Sequence, residues 1–302
     1  MKKENIGTIF AIVAAIISGL AIPVNKIFVV DLDPTVFTAV RALFIGIIFF
    51  FIASFKIKFN YKKFKKVSWK CLLTIGLIGG SFAFLLFFSG LRLTTAGRGA
   101  FLHKTLPLYV TVLALVFLKE KVNRKQFYAL VIMFLGTFLI YVAGLSPSEL
   151  WLNPSLGDLL VIGATILWAV ENIIARKSMI KGESNFIVSF ARMFFGSIIL
   201  FGVIILQDKI GLLLALTMQQ IINLTISTAI LFSYVFFWYW SIKLINVSKA
   251  SILLLLSPVI SLVLGVIIFN EPVPALQMIG SLIILMGAYF VAKIRSGIKE
   301  TI

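Results

Sequence analysis

The sequence predicts an all-α membrane protein of ten transmembrane helices, built as two inverted five-helix repeats. Three observations carry this. Of 302 residues, 61% are hydrophobic and only 13% charged, with a mean hydropathy of +1.10; soluble domains run near half apolar and a quarter charged. A 33.5 kDa particle cannot bury that much apolar surface in water, because small proteins keep a large surface. Ten separate stretches are each long enough for a bilayer crossing, which takes about 20 mostly apolar residues. Finally, the chain matches itself without a gap when shifted by 151 residues.

In order, the expected spans are Ile6–Asn25, Pro34–Phe55, Trp69–Leu91, Gly97–Leu118 and Gln126–Ala143, followed by Gly157–Arg176, Phe186–Leu206, Ile221–Leu244, Lys249–Phe269 and Pro274–Ala292. The first is expected to be retained rather than cleaved, since its apolar run is too long for a signal peptide and more membrane follows. The eighth lies in an uncharged run, Ile210–Ile242, longer than one crossing needs. Its polar start (Thr217, Gln219, Gln220, Asn223) reads as a loop or interfacial turn. The repeats are expected over residues 1–146 and 154–302.

The net charge of +17 invites a nucleic-acid reading, but its distribution opposes one. Positive residues near span ends favour the cytoplasm. With the N-terminus inside, the cytoplasmic segments hold 21 of the 28 Lys and Arg residues, including Lys2, Lys58, Lys62, Lys63, Lys65, Lys66 and Lys299. The outer side holds only Lys26, Arg92 and Lys209. The expectation is a multi-pass protein of the cytoplasmic membrane, with both termini cytoplasmic and lipids as its surroundings. Charge spread over alternate loops, without a stacking aromatic face, excludes nucleic acid as a partner.

The self-match sets Arg41 on Arg192, Leu93 on Leu244, Pro107 on Pro258, Glu120 on Glu271, Gln126 on Gln277 and Gly136 on Gly287, with Lys26 on Lys177. Polar, Pro and Gly matches at one shift are hard to obtain by chance. Five helices is an odd number, so the second repeat enters from the opposite side. The basic loop Lys119–Lys125 has a counterpart, Asn270–Leu276, without a positive charge. An inverted repeat is the architecture that lets one scaffold face either side of a membrane, which argues for a transporter.

The paired signatures Leu91-Arg-Leu-Thr-Thr-Ala-Gly-Arg-Gly-Ala100 with Pro107, Glu120 and Gly136, and Leu244-Ile-Asn-Val-Ser-Lys-Ala-Ser251 with Pro258, Glu271 and Gly287, resemble the EamA repeat of the drug/metabolite transporter superfamily. The resemblance spans essentially the whole chain, including Trp168–Lys177 at the end of helix six. It implies ten helices in two inverted halves, and export or exchange of small metabolites, often amino acids. Arg98, His103 and Lys104 depart from the small or apolar residues usual there.

Polar residues at bilayer depth are the candidates for function. Pro107 and Pro258 each remove an N–H and free the carbonyl four residues earlier (His103, Leu254). Broken helix at mid-depth lines a cavity or is buried by protein, or it is a packing kink. Lys104 lies about 10 Å below the outer end of helix four by the helical rise. A Lys at the bilayer centre costs roughly 2.5–3.5 kcal/mol, so it normally faces protein or water. It is read as holding an anionic or carboxylate substrate, with snorkelling or a structural partner as the alternative. His103 beside it has the side chain suited to change charge near neutral pH, or it makes an interior hydrogen bond. Glu171, about 20 Å from the outer end of helix six, is either a proton carrier or a carboxylate paired with Arg176 or Lys177. Trp168 and Asn172 flank it as pocket wall, and Tyr234 is a candidate for substrate contact. Arg98 and its counterpart Lys249 begin helices four and nine, as mouth or headgroup contacts; Arg98 is counted with the substrate-binding set. Arg41 and Arg192 are read as structural, snorkelling or tying a helix to a neighbour's broken end. Trp238, Tyr239 and Trp240 are assigned to an interfacial aromatic belt. Gly280 and Gly287 allow close helix approach, and a homodimer through helix ten is one use of it.

One cysteine (Cys71) and one histidine argue against a disulfide framework and a Cys or multi-His metal centre. No cofactor is expected and no catalytic residue is assigned. There is no Gly-Lys-Ser/Thr phosphate loop, no pair of intramembrane aspartates, and no filter sequence of the Thr-Val-Gly-Tyr-Gly kind. The sequence reading is a secondary transporter of a small-molecule substrate, an amino acid or organic acid, working by alternating access. Two alternatives stay open: a carrier of phosphorylated or nucleotide-linked anions, and a lipid-modifying membrane enzyme using His103 and Glu171.

Overall fold

The computed structural model describes residues 3–28, 32–57, 67–143 and 155–295. Lys2, Lys58, Lys62, Lys63, Lys65, Lys66 and Lys299, the junction between the expected repeats, and the side chain of Lys26 lie outside the described residues. The helices are α1 (Lys3–Phe28), α2 (Pro34–Ile57), α3 (Trp69–Leu91, with a π turn at Ile78–Phe82), α4 (Ala96–His103 and Leu106–Leu113, closed by a π turn at Ala114–Leu118) and α5 (Arg124–Val142). The second half holds α6 (Leu156–Ile180), α7 (Asn185–Leu206), α8 (Met218–Leu244), α9 (Val247–Leu253, a 3-10 turn at Leu254–Leu256, then Ser257–Phe269) and α10 (Ala275–Lys293). Among the described residues, these ten are the helices long and apolar enough to cross a membrane, and there is no strand.

Local chemistry explains the starts. Ser155 and Asp158 form a capping box on α6, and Thr217 and Gln220 form one on α8. The latter corrects the reading of Thr217–Asn223 as a loop. These residues are the cap and first turns of the helix, preceded by a short helix, Ile210–Leu214. Asn123 caps α5 and Thr95 caps α4.

The packing shows the inverted duplication directly. α1 packs on α8 and α3 on α6, while α2 pairs with α7 and α5 with α10. Exchanging the halves turns the α1–α8 contact into α6–α3 and returns the other two pairs to themselves, as a two-fold axis in the membrane plane requires. Backbone detail repeats as well. Lys119 (φ 53°, ψ 34°) and Asn270 (φ 52°, ψ 35°) end α4 and α9 in the left-handed conformation, and they are 151 positions apart. Each is followed by a glutamate, Glu120 or Glu271.

Close approach is made by glycine. A Cβ on Gly196 of α7 would sit 2.5 Å from the backbone of Gly80 in α3, and one on Gly280 of α10 would sit 2.6 Å from the Gly136 carbonyl of α5. Gly287 packs likewise on Met133. The α10 glycines are therefore covered within the chain. Large apolar side chains such as Phe44, Val116, Phe117 and Ile267 point outward, where lipid is their solvent.

Both ends of the described chain lie at one end of the bundle. Lys249, at the start of α9, donates to the Ile294 carbonyl at 2.6 Å and lies 3.5 Å from Glu4 Oε1. It is only 1% exposed, a packed tie rather than the mouth or headgroup contact expected of it.

Candidate functional site

Two helix breaks meet at the centre. In α4 the helix stops at His103, passes through a turn at Lys104 and Thr105, and restarts at Leu106 with Pro107 in its first turn. Pro107 cannot donate, and the tighter bonds Lys104 N–Phe101 O (2.9 Å) and Thr105 N–Leu102 O (3.1 Å) close the turn. In α9 the 3-10 turn Leu254–Leu256 precedes Ser257 and Pro258. Lys104 Nζ donates to Ser257 Oγ at 2.7 Å, joining the two breaks across the repeats.

Beside this bond lies a cavity of about 460 Å³. Its wall takes Ser18 and Ala21 from late α1, Arg41 from early α2, and Phe88 and Leu91 from late α3. These are the helix portions away from the termini, so the cavity occupies that half of the bundle. Trp238, Asn172 and Arg192 form its floor.

The polar groups differ sharply in how they are compensated. Arg41 donates to Ser227 Oγ at 2.9 Å and lays its guanidinium 3.8 Å from the Phe37 ring centre. Neither Arg41 nor Lys104 has a carboxylate partner among the described residues. Arg192 does: its Nε lies 3.9 Å from Glu171 Oε2. Glu171 is fully buried behind the cavity wall and accepts a hydrogen bond from the Tyr239 hydroxyl. Of its alternative partners, Arg176 is engaged elsewhere: it donates to the Ile242 and Lys243 carbonyls at 2.8 Å each and faces Glu120 at 4.0 Å.

The floor is interlocked. Trp238 Nε1 donates to Asn172 Oδ1 (2.8 Å), Asn172 Nδ2 to the Trp168 carbonyl (2.9 Å), and Trp168 Nε1 to the Gly79 carbonyl in the α3 π turn (3.1 Å). His103 packs its ring 4.9 Å from Trp168 and 5.4 Å from Phe87, with no hydrogen-bond partner on Nδ1. Tyr234 stacks parallel to Trp238 at 6.3 Å.

Of the residues singled out in the sequence, Lys104, His103, Trp168, Asn172, Tyr234 and Pro107 line this cavity. Arg98 does not. It pairs with Asp158 at 3.4 Å, where Thr94 also donates to the same carboxylate, and so ties α4 to α6. Glu171 stands one layer behind, and Pro258 contributes through the Leu254 and Leu255 of its break. Arg41 and Arg192 line the cavity rather than snorkel, because both are buried by protein. Trp238 and Tyr239 belong to the core, not to an aromatic belt. The intramembrane cost that singles out Lys104 applies equally to both arginines, and was the available signal for them. Ser227 and Ser257 carry no sequence signal at all.

The EamA-like transporter family matches over residues 5–142 and 155–293. The chain belongs to the EamA-like transporter family. Its similarity to the uncharacterized transporter YyaM of Bacillus subtilis (strain 168) is 27% identity over 224 residues, covering 73% of this chain and 71% of that protein. The uncharacterized transporter YoaV of the same organism is 24% identical over 265 residues, 87% of this chain and 89% of the relative. An uncharacterized transporter of Methanothermobacter thermautotrophicus is 24% identical over 294 residues, 94% and 85% respectively. A solved crystal structure matches the fold with a TM-score of 0.77 at 16% identity, covering 94% of this chain and 96% of the other. This EamA-like chain is therefore a multi-pass membrane transporter.

Proposed function

We propose that this EamA-like protein is a secondary transporter of small carboxylate-bearing metabolites, amino acids or organic acids, exporting or exchanging them across the cytoplasmic membrane by alternating access. The observation that carries the reading is the pair of cations, Lys104 and Arg41, that face one cavity without a carboxylate partner among the described residues. A buried charge left uncompensated is costly, so an anionic ligand is the natural complement. The aromatic walls (Phe84, Phe87, Trp168, Tyr234) suit the organic body of such a ligand. The basic loops argue for cytoplasmic termini, and the cavity then faces outward. Substrate would bridge Lys104 and Arg41, and rocking of the two repeats about the broken helices would carry it to the other side.

The enzyme reading loses its pairing, since His103 sits among rings while Glu171 is held by Tyr239 and Arg192. The test is counterflow in proteoliposomes with labelled amino acids, organic acids and phosphorylated metabolites as separate pools. Carboxylate uptake driven by trapped carboxylate is the expected result. Uptake confined to the phosphorylated pool would replace the substrate class, and product formation without flux would overturn the transporter mechanism.

A further inference from the structure

The third cavity cation, Arg192, is built differently from Lys104 and Arg41, and the difference points to coupling. Arg192 lies on the cavity wall; Glu171, its carboxylate partner, is fully buried behind it. The pair is loose. At 3.9 Å the contact between Nε and Oε2 is too long for a hydrogen bond, and neither atom has another partner. The other carboxylate oxygen is engaged by Tyr239. Gly79 of α3 leaves no slack on the far side, since even a Cβ there would collide with Glu171 Cγ. The carboxylate is thus wedged, while Arg192, which also lies 5.9 Å from the Tyr239 ring centre, lines the cavity. Symmetry does not demand the arrangement: 151 positions away, Glu171 corresponds to Leu20, and Arg41 uses Ser227.

We propose that Arg192 exchanges partners during transport: a substrate carboxylate draws the guanidinium from Glu171, and Glu171 takes up one proton on Oε2. The proposal rests on the carboxylate reading above and adds its coupling. A carboxylate stripped of its counterion in a dry interior neutralises rather than remain charged. The proton comes from water admitted as Arg192 moves and returns to water when substrate leaves; only an O–H bond forms and breaks. The charged and titratable groups that face Glu171 are Arg192 of α7 with Tyr234 and Tyr239 of α8; α3 presents Gly79, and α4 brings His103 only against Trp168, one turn away. Tyr239 keeps donating to Oε1, so Oε2 is the oxygen open to the proton. Anion and proton then occupy the protein together, and with a monocarboxylate such as benzoate the loaded site gains no net charge.

The experiment uses the full chain in detergent with benzoate, succinate and phenylalanine as probes, and reads binding by quenching of the cavity tryptophans from mildly acidic to mildly alkaline pH. The expected affinity falls as pH rises, approaching ~tenfold per pH unit at full coupling, and binding draws about one proton from weakly buffered solution. Glu171→Gln, which mimics the protonated side chain, should bind as tightly at alkaline pH as the wild type does at acid pH, with a flat profile and no proton uptake. The wild-type proton count stands even if that variant unfolds. A flat wild-type profile without proton uptake, or a slope that survives in Glu171→Gln as His103 would produce, overturns the exchange and leaves the transporter reading intact. If none of the three probes binds at any pH, the carboxylate reading fails, and the exchange with it.

Discussion

Lys104 of α4 and Ser257 of α9 are joined by a 2.7 Å hydrogen bond between the two helix breaks. The breaks are symmetry mates, yet the bond is not. The counterpart of Lys104 is Leu255, and that of Ser257 is Leu106. A duplicated scaffold therefore carries unduplicated chemistry: the break in α4 bears a lysine where the break in α9 bears Leu255.

Lys104→Met should cut carboxylate transport by roughly 10- to 100-fold, the worth of a hydrogen bond to a charged group. Ser257→Ala removes a neutral acceptor and should cost roughly 2- to 10-fold. Initial rates in proteoliposomes at matched protein incorporation decide this. Normal rates for Lys104→Met would remove the lysine from the mechanism.

Glu120 holds the start of α9, accepting from Val247 N (2.9 Å), Ser248 N (3.2 Å) and Ser248 Oγ (2.6 Å). Glu120→Ala leaves those donors without a partner at a helix N-terminus and should destabilise the protein by about 1–3 kcal/mol. Thermal unfolding in detergent reads the effect, with Glu120→Gln falling between the variant and the wild type.

Two glycines of α7 should respond in opposite directions. A methyl on Gly196 meets the Gly80 backbone, so Gly196→Ala must push α7 from α3 and should cost about 1–3 kcal/mol. Gly202 has open space around its would-be Cβ, and Gly202→Ala should stabilise by about 0.4–1 kcal/mol. Equal melting temperatures for the two variants would contradict the packing described.

Asp33, ahead of α2, reports on pH. Partial burial pushes its carboxyl up, but the hydrogen bond from Lys209 (2.7 Å) and those from the Val36 and Thr35 backbone prevail, holding it below the ordinary 3.8. A carboxyl held low in the folded state contributes stability that is fully present above its unfolded value and lost as pH falls through the folded one. Wild type should therefore melt above Asp33→Asn at neutral pH, and the gap should close as pH drops below 3.8. A gap that widens on acidification would show the ion pair to be unimportant.

Much of the fold was legible in the sequence because hydrocarbon imposes hard rules. A helix that crosses lipid must be long and apolar, so the ten spans follow from the run lengths. The shift that sets Glu120 on Glu271 holds in the backbone as well, where the preceding Lys119 and Asn270 both turn left-handed. The candidate site was legible only where the cost of a polar group is large. Lys104, His103 and the two prolines announce themselves that way.

What the sequence by itself determined is the number of helices, their duplication and the depth of each charge, because these depend on distance along the chain. Which charge faces which partner was decided by the tertiary structure alone. Arg98 and Lys104 lie six positions apart, yet one is tied to Asp158 and the other turns toward the cavity. Arg192 found Glu171, while its twin Arg41 found Ser227. The reason is physical: compensation of a buried charge depends on atoms within about 4 Å, and those atoms arrive from helices that the linear order keeps far apart.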